Sequence, residues 1–308
     1  METESTNTRA ISIGQRITYG LFRGFLQVSS WLPLSLARSI GRGLGYGYYK
    51  LAKKRVHFAR INMQICFPEL SEEQKEERVK QCLKHGGMWF MEAGAVWLWS
   101  RKKLLALVEV ENPQLLSSAV EKGNGVILAV PHLGNWELMG PLISLNYEFA
   151  CLYQHDQKKT LLISEFIQKR RASHGVTMAA ADPSGVRTLY KHLKQGKIAG
   201  LLPDHNPTEE MGIFAPFYGR LALTGTLISS LAKKNNATVL TAIVARTKGG
   251  FKVYFREVFN QDSADPLMAA TALNKSLEEI IAIAPEQFQW VYPRFKKRQD
   301  INELSPYR

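Results

Sequence analysis

The chain has 308 residues, 45% of them hydrophobic and 22% charged, with a formal net charge of +13. That composition excludes a disordered chain, and the length allows one large domain or two small ones. The three cysteines, Cys66, Cys82 and Cys151, are odd in number and lack C-x-x-C spacing, which argues against a disulfide framework or a zinc site.

The positive surplus sits at the ends. Residues 1–60 hold ten Lys/Arg against two acids, and residues 291–308 hold five against two, so the middle is nearly neutral. No cleavable signal pattern opens the chain. Gly24–Ala37 carries no charge between Arg23 and Arg38. As a helix it would extend about 21 Å, short of the ~30 Å hydrocarbon core, and Pro33 lies inside it. This stretch reads as an interfacial anchor, or at most a single-pass one. The following Gly-, Tyr- and Lys-rich run to Lys54 suits an anionic headgroup layer, where each nearby cation adds about 1 kcal/mol. No nucleic-acid-binding motif occurs, so nucleic acid is not the expected partner of these bases.

Ser71 followed by Glu72, Glu73 and Gln74 is a helix start. Apolar and small residues then recur at helical spacing to about Trp99. From Val126 the period changes. Val126–Val130 is wholly apolar, as a strand buried on both faces should be, and similar runs fall at Phe149–Tyr153, Val176–Ala180, Ile198–Leu202, Thr238–Arg246 and Lys252–Val258. Helical segments at Leu138–Leu145, Thr160–Ser173, Gly185–Gln195 and Thr224–Asn235 separate most of them. The alternation predicts an α/β fold: a mostly parallel central sheet sandwiched by helices. Residues 1–60 would form an N-terminal membrane-anchoring helical arm and 61–308 the catalytic domain.

Pro131-His132-Leu133-Gly134-Asn135-Trp136-Glu137 follows the first buried strand, at the carboxyl end where ligands bind in such sheets. With His132 in the loop and Glu137 in the first turn of the next helix, Glu137 could accept a hydrogen bond from one ring nitrogen and leave the other to take a proton. The helix N-terminus would offer amides to a developing oxyanion. Such a dyad can deprotonate a substrate hydroxyl without a serine nucleophile, and no G-x-S-x-G elbow occurs.

His132-x₄-Glu137 resembles the His-x₄-Asp/Glu motif of the lysophospholipid-type acyltransferase superfamily. Asn62…Cys66-Phe67-Pro68-Glu69, then Asp204-His205-Asn206 with Phe214–Phe217, then Pro285–Trp290 with Arg294-Phe295-Lys296 are similar to further motifs of the late lipid A acyltransferases, which act in lipopolysaccharide assembly. The likeness spans about residues 15–298. Tyr153-Gln154-His155 departs from the family's Tyr-Arg-Pro, and Pro131 stands where the family has Gly.

The resemblance implies an acyltransferase at the cytoplasmic face of the inner membrane. Acyl carrier protein would be the donor co-substrate, with no further cofactor, and a Kdo-bearing lipid A precursor the acceptor. His132 would be the general base and Glu137 its orienter. Arg170 or Arg171 would match the family's functional arginine, and Asn135 and Asp204 join them as candidate substrate-binding residues. Asp204, at a strand's carboxyl end, could hold either the dyad or the acceptor sugar. No metal site is expected, because the remaining His and acids do not cluster along the chain at ligand spacing. Arg294–Arg298 would face the acceptor or the carrier protein. The alternatives are an acyltransferase of another phospholipid or glycolipid, and a non-catalytic lipid-binding protein.

Overall fold

The computed structural model describes residues 12–153, 161–261, 263–300 and 302–308; Arg9, Gln154, His155 and Thr160 lie outside them. Four helices come first: α1 (Ile13–Trp31), α2 (Leu34–Leu51), α3 (Lys53–Cys66) and α4 (Glu72–Leu98). Pro33 separates α1 from α2, because it has no N–H to continue the ladder and restricts the residue before it. The uncharged stretch is therefore two helix ends rather than one rod. The expected start at Ser71 is present, with a reciprocal capping box between Ser71 and Gln74. No described helix is long and apolar enough to cross a membrane.

Both α1 and α2 lie along α4. Gly41 and Gly45 of α2 meet Gly87 of α4 so closely that a Cβ on Gly87 would stand 2.1 Å from the Gly41 carbonyl oxygen. What they leave outside is apolar. Ile13, Ile17, Leu21, Val28 and Trp31 share one exposed face of α1, and Leu36, Ile40, Leu44 and Leu51 one exposed face of α2.

The rest holds every strand and helix the sequence predicts from Val126 on: α5 (Arg101–Leu105), β1 (Val108–Val110), α6 (Gln114–Glu121), β2 (Val126–Ala129), α7 (Met139–Ile143), β3 (Phe149–Tyr153), α8 (Leu161–Ser173), β4 (Val176–Ala180), α9 (Pro183–Lys194), β5 (Ile198–Leu201), β6 (Gly212–Phe217), β7 (Arg220–Gly225), α10 (Leu227–Asn235), β8 (Thr238–Arg246), β9 (Phe251–Glu257) and α11 (Pro266–Ile281). Of these, α5, β1, α6, β6, β7 and α11 are additions to the predicted elements. Seven strands form one sheet in the order β1-β9-β8-β2-β5-β3-β4. The five from β8 to β4 are parallel, and β9 and β1 run opposite to them. β6 and β7 make a separate antiparallel hairpin.

β2 and β5 are buried at every position and occupy the middle of the sheet. The chain leaves β2 toward β3 and β4 on one side, returns to β5, and then crosses to β8 on the other side. The carboxyl ends of β2 and β5 therefore meet at the point where the winding reverses, the usual place for a ligand site in a parallel sheet.

Candidate active site

β2 and β5 run in register, with Ala129 opposite Leu201, and the Val130 amide continues the ladder to the Leu201 carbonyl. Three residues past each partner stand His132 and Asp204. The shared register brings them face to face. The His132 amide donates to Asp204 Oδ2 at 3.0 Å, and His132 Nδ1 lies 2.9 Å from Asp204 Oδ1. A carboxylate at Nδ1 keeps the proton there, which leaves Nε2 as the basic nitrogen. Nε2 has no hydrogen bond among the described residues. The Asp204 side chain is almost fully buried, and burial alone would raise its pKa. The facing His132 ring and its hydrogen bonds outweigh burial and draw it down to about 2.

Glu137 does lie in the first turn after the loop, in the 3₁₀ turn Trp136–Leu138. It does not orient His132, as the sequence reading expected. Both its oxygens are taken by Arg171, at 2.9 Å from Nε and 2.5 Å from Nη2. The physical reason is two-fold: the strand register has already filled Nδ1 with Asp204, and a buried carboxylate needs a cation, which the end of α8 supplies. Burial would raise the Glu137 pKa, but Arg171 reverses the shift, with a smaller pull from His132. Glu137 thus remains an electrostatic neighbour of the ring. Arg171 is the arginine brought to Glu137, and the two line a second pocket with Trp97 and Cys151 rather than the cavity at His132, whereas Arg170 donates to the Trp97 carbonyl.

Asn135 does not line the cavity at His132. It is 1% exposed and donates to Glu92 Oε2 at 2.9 Å. The loop amides are not free for an oxyanion either. Leu133 N–H donates to Pro131, Gly134 N–H to Gln287 and Asn135 N–H to Val244, each at a backbone carbonyl. Gly134 needs its glycine: φ is +63°, and a Cβ would stand 1.9 Å from the Val244 oxygen.

His205 stacks on the His132 ring at 4.1 Å and on Tyr292 at 3.9 Å, and its Nε2 meets Gln289 Oε1 at 3.1 Å. Burial first, then the neighbouring His132, lower its pKa. His132, Asp204 and His205 bring donor atoms within 4.8 Å of one another, a grouping that spacing along the chain does not reveal. The two rings are parallel to within 7°. Their lone pairs therefore run in separate planes rather than toward one tetrahedral point, an arrangement suited to stacking more than to ligation.

A cavity of about 620 Å³ opens beside His132, walled by Leu44, Tyr48, Trp89, Phe90, Trp136 and Phe288 among others. Trp136 stands edge-on to His132 and stacks on Trp89 at 5.0 Å. Pro285–Trp290 closes the other side: Phe288 bridges Leu133, the Gln289 amide donates to the His132 carbonyl, and Gln287 clasps the Arg246 backbone.

Several bases expected at the surface are spent internally. Arg38 is 5% exposed and ion-paired with Glu92, and Arg60 pairs with Glu76. Arg294, 4% exposed, donates to Asn206, Leu223 and Thr224. Lys297 pairs with Glu209, and Arg298 donates to the Glu303 carbonyl. Within the 294–298 cluster Arg294 is therefore an internal latch, while Lys296 is exposed and Lys297 and Arg298 are partly so. Asn62 is likewise a staple, donating to the Trp290 and Tyr292 carbonyls and accepting from Tyr307. The buried Glu92 with its two arginines escaped the sequence reading. The signal was a lone acid in the apolar run Met88–Trp99.

A mostly parallel sheet with a hydrogen-bonded His–Asp pair at its switch point and an apolar cavity beside it is the arrangement that fold and site define. The model of the bacterial lipid A biosynthesis acyltransferase family matches residues 7–297. The chain is 27% identical over 289 residues to the lipid A biosynthesis palmitoleoyltransferase of Escherichia coli (strain K12), covering 92% of each chain. It is 26% identical over 282 residues to that organism's lauroyltransferase, covering 90% of each. With its myristoyltransferase it shares 24% over 279 residues, covering 89% of this chain and 83% of the relative. The chain belongs to the bacterial lipid A biosynthesis acyltransferase family, and it is an acyltransferase of lipid A biosynthesis. The three relatives are named for different acyl chains at nearly equal identity, so the likeness fixes no chain length.

Proposed function

We propose that this enzyme transfers a fatty acyl chain from acyl carrier protein to the hydroxyl of a 3-hydroxyacyl chain on a Kdo-bearing lipid A precursor. His132 Nε2 takes the hydroxyl proton as the oxygen attacks the thioester carbonyl. The tetrahedral intermediate collapses with loss of the carrier thiolate, which receives the proton from the imidazolium. Asp204 holds the Nδ1 tautomer and stabilises the imidazolium, the task sequence reasoning gave to Glu137. Glu137 adds charge stabilisation at longer range and fixes Arg171. No covalent enzyme intermediate and no cofactor enter.

The observation that carries this reading is the in-register His132–Asp204 pair with Nε2 free at an apolar cavity. The exposed apolar faces of α1 and α2 support the inner-membrane surface as the working location. Leu44, Tyr48 and Phe90 belong both to the cavity wall and to the exposed apolar surface, so a lipid could enter from the bilayer.

The test supplies acyl carrier protein loaded with a C12–C14 chain and the Kdo-bearing precursor. The expected result is ester formation that His132→Ala abolishes. No transfer by the wild type, or undiminished transfer by the variant, would sink the proposal. Mass spectrometry of lipid A from a deletion strain should show one secondary acyl chain missing.

A further inference from the structure

Glu92 is wholly buried and holds two arginines. Oε1 accepts from Arg38 Nε at 2.7 Å and Oε2 from Arg246 Nε at 2.8 Å, with the three side chains 0%, 6% and 3% exposed respectively. Two buried cations share one carboxylate, which leaves a net positive charge. The two arginines are not equivalent. Arg38 is satisfied, because Nη1 donates to the Thr247 carbonyl at 2.7 Å and Nη2 to the Gly250 carbonyl at 2.8 Å. Arg246 has a partner only on Nε. Among the described residues nothing accepts from its terminal nitrogens, and Nη2 is sealed from solvent without a partner.

Arg246 lines the same cavity as His132, and no Asp or Glu does so among the described residues. His85, on that wall too, has an unpartnered Nδ1. Burial, followed by the charges of Arg246, Arg42 and Arg38, keeps its ring neutral. The surroundings are thus three cations against one acid. A buried guanidinium with unused donors is costly unless an anion arrives. The arginines that the sequence offered for this task are occupied elsewhere, Arg171 by Glu137 and Arg170 by the Trp97 carbonyl.

We propose that Arg246 is the anion receptor of the His132 cavity, binding a phosphate or carboxylate group of the acceptor in the ground state and so placing its hydroxyl at Nε2. With Nε held by Glu92 and Nη2 sealed, Arg246 offers either oxyacid a charge-assisted bond rather than the two-bond fork of a free guanidinium. This rests on the reading of the cavity as the acyl-transfer site.

The kinetic test uses Arg246→Lys and Arg246→Gln, with thermal melting to establish that each is folded. Arg246→Lys retains a cation beside Glu92, so it guards against collapse of the buried cluster. The acceptor KM should rise about ten- to a hundredfold, as loss of a charge-assisted hydrogen bond predicts, with the donor KM unchanged and kcat within a few-fold. An acceptor lacking its phosphates, or one lacking its acidic sugars, identifies the group bound: the correct one shows the same KM penalty with wild type and no further penalty with the variants. An unchanged acceptor KM in a folded variant overturns the proposal, as does an equal loss on every acceptor.

A second arm needs no turnover. Inorganic phosphate should raise the melting temperature of wild type more than that of Arg246→Lys, beyond the general salt effect common to both. Equal rises overturn the proposal. If wild type transfers no acyl group yet the phosphate effect depends on Arg246, the acyl-transfer reading fails and the anion site stands.

Discussion

At the residue scale, His132 and Asp204 act through one hydrogen-bonded unit, so their losses should not add. Asp204→Asn keeps the shape but reverses the demand on Nδ1: the amide can present N–H where the ring also has one. The expected fall in kcat is about 10²–10⁴-fold with a small change in KM, and His132→Ala/Asp204→Asn should be no worse than His132→Ala. Steady-state rates of the three variants check this. Glu137→Gln makes the contrasting case. It leaves the His132–Asp204 pair intact and strands the Arg171 charge in a half-buried place. It should lower stability more than Glu137→Gln/Arg171→Gln does, as read by denaturant melting.

His85 supplies a pH dependence of stability. Its pKa falls from 6.5 to about 3 on folding, first by burial and then by the surrounding arginines. The unfolded chain takes up this proton near pH 6.5, whereas the folded chain takes it up only near 3. Below pH 6.5 the unfolded state therefore binds the extra proton, and stability declines as pH falls through that window until the folded ring is protonated too. His85→Gln should flatten the slope of unfolding free energy against pH between about 6.5 and 3. An unchanged slope would show that His85 is not the linked group.

At the element scale, the α2–α4 contact depends on glycines. A Cβ on Gly45 would stand 2.3 Å from the Leu83 carbonyl oxygen, while one on Gly43, on the same helix, meets nothing within 4 Å. Gly45→Val should cost about 1–3 kcal/mol or more by forcing the helices apart. Gly43→Ala should be neutral or stabilise by up to ~1 kcal/mol, because alanine is the better helix former. Chemical denaturation of both separates local propensity from packing. Since α2 and α4 also wall the cavity, Gly45→Val should lose activity out of proportion to the folded fraction.

Elements also show what the sequence made legible. The apolar runs for β2, β5 and β8 are clear because burial on both faces removes alternation, whereas β3 and β4 are apolar although partly exposed. The hairpin β6–β7 is not legible in the sequence, because Pro216 within Phe214–Phe217 discourages a strand there. The position of His132 was legible as the end of a buried strand. Its partner was not, because choosing Asp204 over Glu137 requires knowing that β5 pairs with β2, and in what register. A sequence shows neighbours along the chain, and Glu137 was the nearer acid. Likewise, charge counts could not say that Arg38 turns inward to Glu92.

At the scale of the whole molecule, that last point changes how the enzyme should meet a membrane. Ten bases in residues 1–60 suggested electrostatic attachment. Arg38 is buried and Arg60 is paired with Glu76, so fewer charges are free than the sequence implied. Against this, the outward faces of α1 and α2 are each apolar, with Ile13, Leu21, Trp31 and Leu51 more than two-thirds exposed. Amphipathic helices lying in an interface bind by buried apolar area plus attraction to anionic lipid. Here the first contribution should dominate. Leu21→Glu/Trp31→Glu should release the protein from anionic vesicles in a flotation assay, and raising salt to about 0.5 M, where the Debye length is only a few ångströms, should release much less of the wild type. Because both sites lie away from Nε2, the double variant should keep its turnover on acceptor dispersed in detergent while losing it on vesicles. If salt frees the protein and the glutamates do not, the charge surplus is the anchor and the apolar faces of α1 and α2 serve another contact.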